Sequence, residues 1–252
     1  MIEFNEISWM KWYCNDEPVG KAYVGDNQVY PGFKDSSLTL PENFVFNYNA
    51  KLYDTATRTI AHLEDALETE DFILGANPVS VGSDYLEIDS SSNNSMKAQI
   101  SSGKTQYYSI DGTNNSEATW IFKYSRYGYD GNCHFLSNRD GAYNWMVRTY
   151  YDMIKLHDST ERNACPVSAY PCTAVIRIAD DGTTTIQDLT DDTACVPYTF
   201  SYGRTNATPT FFAGYYSTGG EWFTGRFYWA FFINRCLTDD EVQQVIYYNE
   251  NI

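Results

Sequence analysis

Phe227-Tyr228-Trp229-Ala230-Phe231-Phe232-Ile233, followed by Asn234-Arg235-Cys236-Leu237-Thr238-Asp239-Asp240-Glu241-Val242-Gln243-Gln244-Val245, is the stretch that decides the fold. Its first seven residues are aromatic or apolar without a break, which predicts a strand buried on both faces or nearly so. Thr238 then stands as an N-cap with Glu241 three positions on, the pairing of a capping box. Leu237 and Val242 are spaced for a hydrophobic staple. Asp239, Asp240 and Glu241 put negative charge at the positive end of the helix dipole. Val242, Val245 and Ile246 share one face, so the helix is short and packs on a sheet by one narrow stripe. Upstream, Phe211-Phe212-Ala213-Gly214 opens the aromatic run, and Gly225 leads the closing strand.

Working outward from that segment, the chain reads as short strands from residue 42 onward. Phe44 to Tyr48, Asp71 to Leu74, Tyr85 to Ile88, Ala118 to Tyr124, Gly141 to Leu156, Ala174 to Ile178 and Thr183 to Ile186 are the candidates. Asp180-Asp181-Gly182 is a hairpin turn, because Gly accepts positive φ. Ala56 to Ala66 reads as an irregular turn or a poor helix, and Ser90 to Ser95 as a polar surface loop. Regular strands without long intervening helices predict an all-β, two-sheet sandwich.

Residues 1–30 differ. Ile7 to Tyr13, Gly20 to Gly25 and Gln28 to Tyr30 read as strands of a small meander, with Asn15-Asp16 as a turn. Pro31 to Pro41 is punctuated by Pro, Gly and Ser and reads as a linker. The expected division is 1–41 for an N-terminal attachment meander and linker, and 42–252 for the sandwich. About thirty residues of short strands cannot bury Trp9, Trp12, Tyr13, Tyr23 and Tyr30 alone. Trp9, Trp12, Tyr23 and Tyr30 are therefore expected at an assembly interface, with other proteins or with further copies of the chain as a homo-oligomer.

The closing pattern resembles that of the concanavalin A-like, laminin-G-like jelly rolls: a glycine-led strand, an aromatic strand, an N-R-x-L-[ST]-x-[DE]-E segment and a short helix. Here these are Gly225, Phe227 to Phe232, and Asn234 to Glu241. The resemblance implies a jelly roll that binds or displays. Lys21-Ala22-Tyr23-Val24-Gly25 with Val29-Tyr30 resembles a short module at the start of virion proteins of crAss-like tailed phages of gut Bacteroides. That resemblance implies a virion protein, a head fibre or tail-associated decoration, whose N-terminal module engages other virion proteins and whose jelly roll adheres to host surface glycan.

Bulk composition narrows the partners. The net charge of −16 over 252 residues argues against nucleic acid or an anionic membrane, whose phosphates would be repelled. No run has transmembrane length. Met1 to Glu6 lacks a basic n-region with an apolar stretch behind it, so synthesis in the host cytoplasm without a signal peptide is expected. That compartment favours free thiols for Cys14, Cys133, Cys165, Cys172, Cys195 and Cys236, with Cys165 and Cys172 as the pair a proline-rich loop would bring nearest.

Three constellations bear on chemistry. Glu87-Ile88-Asp89 resembles the start of the E-x-D-x-x-E signature of glycosidases with this fold, but the sixth position is Ser92, so the acid/base of a carboxyl pair is missing. The alternative is an edge strand with polar residues outward. His62, His134 and His157 show neither triad context nor transition-metal spacing. Asp130, Asp140, Asp180, Asp181, Asp191 and Asp192 offer loop oxygens without an EF-hand pattern, so no cofactor is expected and Ca²⁺ is the one ion such loops would suit. The third constellation is aromatic. Tyr124, Tyr127, Tyr129, Asp130, Asn138, Asp140, Tyr143 and Trp145 lie in neighbouring Gly-rich segments. Tyr and Trp meet the apolar face of a sugar, while Asp and Asn meet its hydroxyls. Tyr127, Tyr129, Asp130, Asn138, Asp140, Tyr143 and Trp145 are the expected carbohydrate-binding residues; Tyr and Trp filling the core is the competing role. The expected function is non-enzymatic glycan binding. The rivals are a purely structural assembly domain and a glycan-cleaving enzyme with an atypical site.

Overall fold

The computed structural model describes residues 39–89, 98–100, 117–127, 132–137, 146–150, 153–157, 164–167, 169–199, 210–212 and 223–252, with four short strands nearer the N-terminus. Those four form two separate ladders: Tyr13–Cys14 with Glu17–Pro18, and Ala22–Val24 with Asn27–Tyr30. Trp9 and Trp12, and the side chains of Tyr23 and Tyr30, lie outside the described residues.

The closing strand, Thr224–Ile233, runs through the middle of the first sheet. Along one edge it pairs with Ala118–Arg126. Its other edge is shared: Leu86–Asp89 lies beside Thr224 to Phe227, and Phe46–Asn49 beside Trp229 to Phe232. The changeover falls at Tyr228. There Lys123 faces Trp229 while Tyr124 faces Phe227, so Tyr228 is one residue in excess, a β-bulge. Beyond Ala118–Arg126 the sheet continues through Cys172–Ile178, Thr183–Asp188 and Thr193–Ala194, and Ser80–Val81 flanks Leu86–Asp89. The second sheet runs Ala164–Pro166, Met153–His157, Met146–Tyr150, Asn132–Ser137, Thr210–Phe211, Ala98–Ile100, Phe72–Leu74, Thr59–Ile60, Tyr53–Asp54. Among the described residues every pairing is antiparallel. The molecule is the all-β, jelly-roll-type sandwich that its closing segment implies, with one α-helix among the described residues.

The space between the sheets is filled by rings. Phe72 of the second sheet stacks on Phe227 of the first at 5.6 Å with planes 7° apart. Phe135 stacks on Phe122 at 4.7 Å and meets Phe223 edge-on at 5.5 Å. Such pairs add to the area they bury. Phe227, Ala230 and Phe232 face this inner layer, whereas Trp229, Phe231 and Ile233 face outward, under the helix, with Ile121, Val175 and Phe44. The closing strand is thus covered on both faces over this half, as its composition predicts.

The helix, Asp239–Asn251, has the expected capping box: Glu241 N–H donates to Thr238 Oγ1, and Thr238 N–H to Glu241 Oε2. Val242 and Val245 are buried against the outer cluster. Thr119 clamps the preceding link, its hydroxyl donating to the Arg235 carbonyl at 2.8 Å and accepting from Leu237 N–H at 3.0 Å. The far end is held by buried amides. Asn47 and Asn49 each donate to Asn249 Oδ1 at 3.0 Å, and Asn249 Nδ2 donates back to Asn47 Oδ1 at 2.9 Å. The end of the expected linker also sits here: Gln244 Nε2 donates to the Thr39 carbonyl, and Leu40 packs on the outer cluster.

Several expectations are corrected. Within Ala56 to Ala66 the chain is neither irregular nor helical at Thr59–Ile60, which pairs with Tyr53–Asp54 through a turn pinned by Asp54 Oδ1 accepting from Ala56 N–H. The Gly141 to Leu156 segment holds two strands that pair with each other, Met146–Tyr150 and Met153–His157. Tyr124 is a core residue with no exposure. Leu86–Asp89 is not an edge strand, because Ser80–Val81 pairs with its first half. The turn at Asp180 to Gly182 forms as read, with Gly182 at φ 80°. Cys165, Cys172 and Cys195 are buried and Cys236 is half-buried, all as free thiols. Burial, followed by the nearby Asp188 carboxyl, pushes the Cys172 thiol far up.

Candidate functional site

Among the described residues the helix covers only half of the first sheet's outer face. The other half begins where the bulge ends. Leu86 and Ile88 are buried in the inner core, so strand alternation turns Glu87 and Asp89 outward. Across the ladder, Arg226 is the Cα partner of Glu87, and Thr224 of Asp89. Arg226 is the sole charged residue of the closing strand.

Two tyrosines flank it. The guanidinium carbon lies 4.1 Å from the Tyr85 ring centroid and 5.6 Å from that of Tyr127. Tyr85 closes a tight turn, its carbonyl accepting from Gly82 N–H at 2.8 Å. Its ring occupies the space a side chain at Gly82 would fill, with ring carbons 2.4 Å from that Cβ position. Tyr127 follows the Ala118–Arg126 strand and donates its N–H to the Thr224 carbonyl at 2.9 Å. Gly225 permits this close approach, since a Cβ there would lie 2.0 Å from the Ser125 carbonyl oxygen. Tyr228 forms the floor. Its ring lies 5.9 Å from Tyr85 and 5.4 Å from the Lys123 ammonium, and its hydroxyl is 3.4 Å from that of Ser125.

The charges here are unevenly matched. Glu87 accepts from Ser80 Oγ at 2.7 Å, and Thr224 Oγ1 donates to Asp89 at 3.4 Å. Lys123 is paired with Glu250 at 2.8 Å. Arg226 holds no carboxylate among the described residues. Tyr127 is 38% exposed. Partial burial pushes its hydroxyl above the ordinary phenol value, with Arg226 offsetting part of the rise. The phenol is therefore neutral near pH 7 and available both as donor and as acceptor. Among the described residues the arrangement presents a guanidinium beside the exposed Tyr127 ring, above the buried Tyr228 and Ser125.

Of the expected carbohydrate-binding residues, Tyr127 belongs to this face. Tyr129, Asp130, Asn138, Asp140, Tyr143 and Trp145 lie outside the described residues, as does Ser92. Tyr85, Arg226 and Tyr228 went unselected in the sequence reading. The lone cation of an otherwise uncharged strand is the signal that marks them. His62 is hydrogen-bonded through Nδ1 to Asp71 at 2.8 Å. Among the described residues, no group of three His, Cys, Asp or Glu side chains is placed to hold a metal ion. No described helix is long and apolar enough to cross a membrane.

No protein-family model matches the chain, and no curated protein sequence does. Solved structures with similar folds include Trypanosoma rangeli sialidase in complex with 2,3-difluorosialic acid, with a TM-score of 0.59 at 12% identity over 84% of this chain and 34% of the sialidase. The same sialidase with the inhibitor DANA superposes with a TM-score of 0.58 at 10% identity over 90% and 35%. The chain thus spans about a third of those proteins' length. The CBM40 of Ruminococcus gnavus IT-sialidase, bound to α2,3 sialyllactose, has a TM-score of 0.42 at 8% identity. At these identities the sialidase likeness is one of fold, and it agrees with the β-sandwich described above.

Proposed function

We propose that this sandwich is a non-enzymatic glycan-recognition domain of a virion protein, presented to host surface glycan. The observation that carries the recognition role is the half of the outer sheet face that no described helix covers, where exposed Tyr127 stands with Tyr85 and Arg226 over the buried Tyr228 and Ser125. An exposed tyrosine suits the C–H face of a sugar ring, and its own hydroxyl with the neighbouring guanidinium suits the rim. The virion assignment rests on the resemblance carried by Lys21 to Tyr30. Binding is favoured over cleavage because Glu87 and Asp89 are each engaged by a hydroxyl, and Arg226 and Thr224, not acids, stand across the ladder from them. Retaining hydrolysis needs a second carboxyl about 5–5.5 Å from the first.

The test is a glycan array with the full chain, paired with an assay for new reducing ends. Binding without release is expected, and Tyr127→Ala should weaken it roughly tenfold or more, as for loss of one anchoring aromatic. Release of reducing ends that Glu87→Gln abolishes would make the protein an enzyme. No binding to any array member would favour a purely structural assembly domain.

A further inference from the structure

We propose that the open face selects a carboxylate-bearing sugar, with Arg226 as the anchor for the acid and Tyr127 as the platform for the ring. The inference rests on the glycan-recognition reading and adds the chemical class of the ligand.

Arg226 differs from its cationic neighbours. Lys123, Arg177 and Arg235 are each paired with a carboxylate, Glu250, Asp239 and Glu241 respectively. Arg58 Nη1 donates to the Gly75 carbonyl. Arg226 has no carboxylate or carbonyl partner among the described residues, its one oxygen neighbour being the Tyr228 hydroxyl, although the chain carries 33 acidic residues against 17 basic ones. Its one close acid across the ladder, Glu87, is drawn toward Ser80 instead. The guanidinium is held in place by stacking with Tyr85 and Tyr127, and its Nε is enclosed without a partner. The Tyr85 ring, 4.1 Å away, restricts the group and leaves its terminal nitrogens without a carboxylate among the described residues. A planar carboxylate meets a guanidinium fork with two parallel hydrogen bonds. Little side-chain entropy remains to be lost when the anion arrives, because the rings already restrict the stem.

The net charge of −16 does not oppose this at close range. At about 0.15 M salt the Debye length is about 8 Å, so a bound carboxylate responds mainly to the groups beside it. Those groups are the Arg226 guanidinium and the carboxylates of Glu87 and Asp89, each of which a hydroxyl already holds.

The experiment measures the affinity of the full chain for matched probes: oligogalacturonate and its carboxyl-reduced twin, and sialyllactose against lactose. At least one acidic probe is expected to bind tenfold or more tightly than its neutral twin. Arg226→Gln should abolish that preference, and Arg226→Lys should retain part of it. Thermal unfolding of both variants within a few degrees of wild type would show that the sandwich is intact. Tyr127→Ala should weaken acidic and neutral probes both, because it removes the ring platform as well as one of the two rings beside the guanidinium. Equal binding of acid and twin, or a preference that survives Arg226→Gln, would overturn the anionic proposal while the glycan reading stands. A stronger response to a sulfated oligosaccharide than to every carboxylated probe would overturn it too. Binding to none of the probes or array glycans would overturn both.

Discussion

The two halves of the closing strand present their outer faces to different surroundings. Over Trp229, Phe231 and Ile233 the face is sealed by a capped helix, and the rings exclude water. Over Thr224 to Arg226 no described helix lies on that face, and the Arg226 guanidinium lies 4.1 Å from the Tyr85 ring, while Tyr228 is itself buried with the outer cluster. Both halves are aromatic. What separates them is whether each ring has a helix above it. Aromatic content by itself therefore does not distinguish a core from a binding face, because Phe, Tyr and Trp serve both.

That contrast would break first at Phe231. It is 1% exposed and stacks on Phe44 at 5.9 Å. Phe231→Ala is expected to cost about 3–5 kcal/mol in chemical denaturation. A loss below about 1 kcal/mol would mean the sealed half is not a core. Next is Asn249→Ala, which strands both the Nδ2 and the Oδ1 of Asn47, while Asn49 Nδ2 keeps the residue-249 carbonyl at 2.9 Å. Buried groups left unpaired cost about 1–3 kcal/mol each, so a loss of roughly 2–4 kcal/mol is expected in the same assay.

A smaller effect is expected at Glu241. Its carboxyl is held down to about 2, first by the hydrogen bond from Arg235 and further by Thr238, against the opposing effect of burial. A folded-state value below the unfolded one contributes stability that is complete above about pH 4.5 and is lost as the pH falls through about 2. Glu241→Gln should therefore lower stability at neutral pH and flatten the decline between those values, read from unfolding midpoints in a pH series. The smallest effect on stability is expected from Tyr127→Ala on the open half: a change within about 0.5 kcal/mol. A large loss there would assign Tyr127 to the core and erase the difference between the halves.

Much of this fold was legible because its signals are local. The capping box, the apolar stripe of the helix and the glycine of the Asp180 to Gly182 turn depend on neighbours a few residues apart. The buried closing strand was legible from its unbroken apolar run. What remained hidden needs distant partners. Asn249 reads as an ordinary polar residue of a helix end, and only Asn47 and Asn49, some 200 residues away, make it a buried anchor. Tyr124 read as part of an aromatic loop because nothing nearby shows that Phe122, Phe135 and Phe223 surround it. Tyr85 and Arg226 were missed as a pair for the same reason, since their meeting depends on the register of two strands about 140 residues apart. The separation of carboxyls needed for cleavage could be doubted from Ser92 alone, but the engagement of Glu87 by Ser80 could not.

The extra residue at Tyr228 makes the closing strand two half-strands in series. Removing it on paper leaves an unbroken alternation, with Phe227, Ala230 and Phe232 inward and Arg226, Trp229, Phe231 and Ile233 outward. The ladder with Ala118–Arg126 thus has no need of a residue there, whereas the other edge does, because Leu86 and Asn49 would otherwise be drawn together end to end. The bulge acts as a joint between two flanks that share one backbone. Side chains along the Ser80 to Asp89 flank are free to change what the open face meets without altering the seat of the helix. A lineage could in this way retune what the protein touches while leaving its most heavily packed half unaltered.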